Sequence, residues 1–76
     1  MNRIRRKKLT EAYELLEQAR DIIESCRDEE QDAFDNMPEG LQTSDRGEEM
    51  EENVSQMEDA ISSIEDAIDS ISEYYV

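Results

Sequence analysis

The chain has 76 residues, 22 of them acidic and eight basic, and its net charge is −14. A chain of this length forms one small domain, whose core alone rarely contributes more than about 3–5 kcal/mol of stability. There is a single cysteine, so no internal disulfide can add to this, and we expect a homodimer. The acidic balance disfavours nucleic acid and anionic membranes as direct partners and favours a protein with a basic surface.

Residues 1–8 are predicted to form a basic N-terminal arm. The arm contains five of the eight basic residues, Arg3, Arg5, Arg6, Lys7 and Lys8. The sequence has neither the apolar core of a signal peptide nor a run approaching the ~18 apolar residues of a membrane span. We therefore expect a cytoplasmic protein, with the arm either solvated or beside the acidic C-terminal end of the chain. Contact between the arm and nucleic acid is the alternative.

The first half of the chain has the spacing of an amphipathic helix over about residues 8–36. Apolar or small residues recur in alternating steps of three and four, which is typical of a coiled-coil seam. The a and d positions of this seam are Leu9, Ala12, Leu16, Ala19, Ile23 and Cys26, with Ala33 and Met37 following a break at Glu30. Leu15 and Ile22 widen the stripe at g. Cys26 is expected to be a small buried core residue, and a symmetric intermolecular disulfide is the alternative.

The second half repeats this pattern over about residues 45–75. Residues 57–63 are nearly repeated in residues 64–70, and a strict seven-residue repeat implies left-handed supercoiling against another helix. The apolar positions step by four and three through Met50, Val54, Met57, Ile61, Ile64, Ile68 and Ile71.

The connecting loop is predicted at residues 37–44. Pro38 disfavours helical geometry at the residue before it, and Gly40 can take the positive φ of a turn. Asp45 is the expected N-cap of the second helix, with Glu48 as its capping-box partner. A connector this short folds the helices back antiparallel. The predicted fold is therefore all-α, a coiled-coil-like two-helix hairpin whose broad apolar stripe favours dimerisation into a four-helix bundle.

Two exposed surfaces are candidate partner-binding sites. The acidic ridge of the second helix repeats every seven residues, or ~10.5 Å, and consists of Glu51, Glu52, Glu58, Asp59, Glu65 and Asp66. It resembles a nucleic-acid backbone in charge, although duplex DNA carries one charge per ~1.7 Å, so more than one ridge is needed. The alternative is a solvated face that maintains solubility. After Arg46, however, the second helix has no basic residue to offset the repulsion.

The second surface is the Tyr/Arg strip, formed by the e positions of the first helix: Tyr13, Arg20, Arg27 and Phe34. Tyrosine and arginine are enriched among interface hot spots, so the strip is predicted to bind a partner or to form the dimer. The alternative is that the two aromatic rings cap the core while the arginines pair with acids of the second helix.

The sequence lacks the motifs of an enzyme or a cofactor site. Without histidine, no Glu-x-x-His metal motif exists, and residues 28–32 lack the alternating ligands and central glycine of a calcium loop. Cys26 has no histidine to activate it, and there is no glycine-rich phosphate loop. We therefore expect no catalytic residues, no metal and no cofactor.

The central residues 27–42 and 44–48 resemble a family of short acidic helical-hairpin proteins from phages, prophages and mobile elements of Gram-positive (gut) bacteria. The likeness runs from about Leu9 to Ser72 and depends most on Asp-Asn-Met-Pro-Glu at 35–39 and Ser-Asp-Arg-Gly-Glu at 44–48. The family is mostly without assigned function, so the resemblance implies a genomic setting and no site residues. The loop residues that we regard as candidate contacts are Asn36, Met37, Leu41 and Arg46, although Met37 and Leu41 can instead close the end of the bundle.

The missing catalytic motifs predict a non-enzymatic function, and the resemblance places that function in a phage or mobile element. The chain is expected to be a counter-defence inhibitor, of the anti-CRISPR or antirestriction type, that blocks a host nuclease or another nucleic-acid-binding protein through DNA-mimic-like acidic faces. The alternative is a structural dimerisation or assembly adaptor whose acidic surface serves only solubility.

Overall fold

The computed structural model describes the backbone of residues 1–75 and the side chains of residues 1–72. Within that part the chain forms three helices and no strand: α1 (Arg3–Asp35), α2 (Glu39–Gln42) and α3 (Asp45–Tyr75). The all-α class is confirmed. In the described part of the chain, no helix combines the length and the apolar character that crossing a membrane requires.

α1 begins at Arg3, earlier than the boundary near residue 8 that the sequence predicted. The side chain of Asn2 caps it, because Oδ1 of Asn2 accepts a hydrogen bond from the backbone N–H of Arg5 at 2.8 Å. Arginine and lysine are good helix formers, so nothing interrupts the helix between the cap and Leu9. The basic residues 3–8 therefore form the first turns of α1, with their side chains exposed, rather than an arm that precedes it.

The connector contains a short helix that closes the end of α1. Nε2 of Gln42 at the end of α2 donates to the backbone carbonyl of Phe34 at 3.1 Å, which satisfies one of the carbonyl groups left free at a helix end. Gly40 lies inside α2, and no glycine in the described residues has a positive φ. The prediction that Gly40 takes the positive φ of a turn is wrong, because a helical turn replaces the expected glycine turn.

Ser44, rather than Asp45, caps α3. Its Oγ accepts from the backbone N–H of Gly47 at 3.4 Å, and its carbonyl accepts from the N–H of Glu48 at 2.9 Å. Asp45 is the first helical residue, so the predicted cap was one residue late. Asp45 and Glu48 still lie in the first turn, where their charges suit the positive end of the helix dipole.

α1 and α3 pack side by side in a rod of 58 × 14 × 14 Å. Glu30 is hydrogen-bonded to Asn53, and Ile23 lines the same groove as Ala60. Residue numbers thus fall along α1 as they rise along α3, and the helices run in opposite directions. Among the described residues, the buried apolar side chains all lie on α3 and are those of Met50, Val54, Ile61 and Ile68, while no residue of α1, which the structure describes in full, is buried.

The side of α1 that faces α3 is rotated relative to the predicted a/d seam. Half-buried residues step by four and three along the a and e positions: Leu9, Tyr13, Leu16, Arg20, Ile23, Arg27, Glu30, Phe34 and Met37. At d, Ala12 and Ala19 are half-buried, whereas Cys26 and Ala33 nearer the loop are exposed. The prediction that Cys26 is a buried core residue is therefore wrong. Alanine and cysteine at d offer little apolar area, whereas the rings and arginine stems at e offer more.

Candidate partner-binding surfaces

The acidic ridge lies on the outer side of α3, and all six of its side chains are exposed. Among the described residues, each of the four ion pairs joins Arg20 or Arg27 to an acid of α1 itself. Within the ridge, Glu52 accepts a hydrogen bond from Gln56. No basic side chain in that part of the chain therefore neutralises the ridge, and its carboxylates are open to a partner.

The Tyr/Arg strip is half-buried along its length. Nε of Arg20 donates to Oδ1 of Asp21 at 3.3 Å, and Nε of Arg27 donates to Oδ1 of Asp28 at 3.1 Å. The hydrogen bond to Asp21 raises the pKa of Arg20, which stays charged. The alternative in which these arginines pair with acids of the second helix is wrong for the described residues. A partner-binding role for the strip stays a prediction.

A polar pair bridges α1 and α3 where the apolar pattern is interrupted. Nδ2 of Asn53 donates to Oε2 of Glu30 at 2.9 Å, and both residues are half-buried. Glu30 occupies the a position at which the sequence pattern broke, so the break has a structural cause. A single polar pair in an apolar seam specifies the register of two helices. The sequence signal for it is an acid at a in one helix and an asparagine at g in the other.

Removing this bridge tests whether it fixes the register. We expect Asn53→Ala to lower the free energy of unfolding by about 1 kcal/mol, because a half-buried carboxylate loses its donor. Gln56→Ala is the matched control, since Gln56 lines the same groove but bonds within its own helix. Urea unfolding of Asn53→Ala, Glu30→Ala and the Glu30→Ala/Asn53→Ala double variant gives the coupling energy between the two side chains. Gln56→Ala is unfolded under the same conditions. Strictly additive effects would contradict a direct bridge.

A groove on one side of the rod forms a further surface. It is a shallow, open groove with a volume of about 550 Å³, lined by Ile23, Cys26, Glu30, Asn53, Gln56, Met57 and Ala60. Beside it, Leu15 and Ile22 are 63% and 64% exposed. The sequence assigned these two residues to the flank of the core and did not identify the groove. The width of the apolar stripe, near three positions in seven, was the signal that could have revealed it.

The remaining candidates lie at the loop end of the rod. Asn36, Leu41 and Arg46 are exposed there, and Met37 is half-buried. Within the described residues, no cluster of three or more cysteine, aspartate or glutamate side chains is arranged to hold a metal ion.

Comparison of the chain with models of protein families, with curated proteins and with solved structures finds no match. The resemblance to acidic hairpin proteins of phages therefore stays a prediction from the loop motifs.

Proposed function

We propose that this chain is a non-enzymatic protein of a phage or other mobile element that binds a nucleic-acid-handling protein of its bacterial host. In this proposal it works as an antiparallel two-helix hairpin, and two copies form a four-helix bundle in the host cytoplasm. The acidic ridge occupies the basic groove in which the target holds nucleic acid. The target is then blocked, as by counter-defence inhibitors of the anti-CRISPR or antirestriction type.

The observation that supports this most is the unpaired state of the acidic ridge. Its six carboxylates are exposed, and the ion pairs of the described residues all lie on α1. A helix with a purely structural role gains stability from Glu–Lys pairs four residues apart, and α3 contains no lysine. The ridge instead bears like-charge repulsion along one side, which a basic partner relieves.

The spacing of the ridge sets a condition on the target contact. One ridge offers two charges per ~10.5 Å, against one per ~1.7 Å in duplex DNA. A single ridge is thus about threefold too sparse to reproduce the charge of a duplex. A second ridge would raise this only to about four charges per ~10.5 Å, against about six for a duplex, so acidic side chains outside the ridge also have to contribute to the contact.

Capture of the target followed by displacement of DNA tests the function. Immobilised chain is exposed to lysate of the native host at ~0.05 M salt, and the retained protein is identified by mass spectrometry and purified. We expect that protein to bind double-stranded DNA and to release it when the chain is added. Affinity for the chain should fall steeply as salt rises to ~0.5 M, because exposed charges are screened within ~10 Å at 0.1 M.

Charge reversal locates the contact. We expect Glu58→Lys/Asp59→Lys to weaken target binding by more than about tenfold, because like charges brought together in an interface cost several kcal/mol. Glu11→Lys/Glu14→Lys is the matched control, since it makes the same charge change at exposed positions of α1. Circular dichroism establishes that both variants are folded. Equal losses from the two variants, or binding insensitive to salt, would overturn the role of the ridge.

A structural adaptor is the second candidate function. The exposure of Leu15 and Ile22 favours it, because apolar side chains of this size on a small rod suit assembly with another protein. An adaptor keeps its partner after reversal of Glu58 and Asp59, and the captured protein need not bind nucleic acid. The same experiment therefore separates the two functions.

A further inference from the structure

One side of the rod exposes apolar side chains that no element of the described residues covers. We define the open face as Leu15, Ile22 and Cys26 of α1 with Met57 and Ala60 of α3. At ~100° per residue, Leu15 and Ile22 lie within about 40° of Cys26 around α1. Cys26 in turn lines the groove that Met57 and Ala60 also line. These five residues therefore lie on the same side of the rod.

The chain exposes more surface than a compact monomer of its mass, and the excess is close to one side of a standard protein–protein interface. The chain exposes 5726 Å², whereas a compact monomer of 8.9 kDa exposes about 4,800 Å². The excess of roughly 900 Å² is close to the ~800 Å² that each partner buries in a standard protein–protein interface. An interface of standard size would therefore bring the exposed area of each copy close to that of a compact monomer of this mass.

The two ends of the rod differ strongly in charge. Residues 28–52, at the loop end, contain eleven acidic residues and one basic residue, Arg46. At the other end, the five exposed basic residues of 3–8 balance the acids of the neighbouring turns and of the end of α3. Two copies aligned in the same direction would set acidic loop end against acidic loop end. Reversing one copy sets each acidic end against the basic start of the other α1, which is electrostatically favourable.

The open face and the acidic ridge do not compete for the same surface. On α3, Met57 and Ala60 lie about 100–160° around the helix from Glu58 and Asp59. An occupant of the open face therefore leaves the ridge exposed.

We infer that a second copy of this chain docks on the open face with its long axis reversed. The inference rests on the self-association within the proposed function, and not on the basic target. Full overlap of two 58 Å rods places the twofold axis near Ile22, at ~1.5 Å per residue along α1. α1 of one copy then runs against α1 of the other in the opposite direction. Ala12 comes level with Ala33 of the second copy.

Crosslinking between two cysteine variants tests this arrangement. In a Cys26→Ala background, Ala12→Cys and Ala33→Cys each place one thiol on the d row of α1 beside the open face. When the two variants are mixed and treated with a short bismaleimide, the main product should be a heterodimer crosslinked between position 12 of one copy and position 33 of the other. Each variant alone should give almost none, because identical positions lie ~30 Å apart in the reversed dimer. Glu14→Cys mixed with Gln31→Cys is the matched control, because these exposed positions also come level in the reversed dimer but lie about 120–140° around α1 from Cys26.

Each other outcome overturns a defined part of the inference. Crosslinks within the single-variant samples would overturn the reversed orientation and leave self-association intact. A dimer that gives no 12–33 product, or one in which the outer pair crosslinks equally well, would overturn the open face. A folded monomer by analytical ultracentrifugation at high concentration would overturn self-association itself, while binding of a basic target by the ridge would still stand.

Discussion

Replacing Gly47 with alanine is expected to destabilise the protein, although alanine is the better helix former. Gly47 is buried in the first turn of α3, where a Cβ atom would collide with the carbonyl group of Gln42 and lie 2.8 Å from the carbonyl oxygen of Leu41. These are backbone atoms, so α2 has to shift. Overpacking of this kind lowers stability by about 1–3 kcal/mol, a large part of the ~3–5 kcal/mol available to one small core.

Gly40→Ala is the matched control for this prediction. Gly40 is also helical, its φ is not positive, and a Cβ atom there meets nothing within 4 Å. The substitution should therefore raise the free energy of unfolding by about 0.4–1 kcal/mol, because alanine restricts the unfolded chain. Thermal and urea unfolding followed by circular dichroism compare the two variants. A Gly47→Ala variant as stable as Gly40→Ala would show that the end of α2 does not press on α3.

The position of Gly47 also explains why the loop motif is so distinct from the helices. In Ser-Asp-Arg-Gly-Glu, Ser44 caps α3 and Gly47 admits the carbonyl groups at the end of α2. Gln42 in turn closes the end of α1 through the carbonyl of Phe34. Gly47→Ala should therefore shift the backbone NMR signals of residues 34–48 more than those of distant turns. The loop has a structural task in addition to any contact with a partner.

The helices themselves were predictable because the heptad pattern is long and regular. The second helix was expected at about 45–75 and runs from Asp45 to Tyr75. The rotation of α1 was not predictable from its own spacing, because the apolar stripe at a, d and g does not include the e positions, which are half-buried beside α3. The choice depends on side-chain volume across the pair, and larger groups at e displaced the small residues Cys26 and Ala33 at d. Cys26 was misplaced for this reason.

Competition between neighbouring polar groups explains why the N-cap of α3 and the partners of the two arginines differ from the predicted ones. Ser44 and Asp45 are both good N-cap residues, and only the path of α2 decides between them. Arg20 and Arg27 pair with the residues that follow them, Asp21 and Asp28, although neighbours in sequence do not normally face each other on a helix. The exposure of the acidic ridge was predicted correctly, because its f positions lie opposite the apolar seam and the apolar stripe of α3 widens at g, on the side away from its e positions.

The largest loss of stability in the core is expected at Ile61. Only 5% of its surface is exposed, and it lies between Val54 and Ile68 in the row that forms most of the buried core. Truncation of a buried isoleucine to alanine lowers stability by about 2–5 kcal/mol, through lost burial and the cavity left behind. A protein with a core this thin has little more than that to lose. Ile61→Ala should therefore be largely unfolded near physiological temperature.

A graded series separates loss of burial from a change in helix propensity. Ile61→Val should lower stability by only about 0.5–1.5 kcal/mol, and Ser62→Ala, at the exposed neighbouring position, should lower it not at all, because alanine favours helix. If two copies form the bundle, the thermal midpoint of Ile61→Ala also falls on dilution, because dissociation is coupled to unfolding. Equal midpoints for Ile61→Ala and Ser62→Ala would mean that α1 does not pack on this row of α3. Both the groove beside the row and the open face would then lose their structural basis, since each depends on α1 lying against Ile61 and its neighbours.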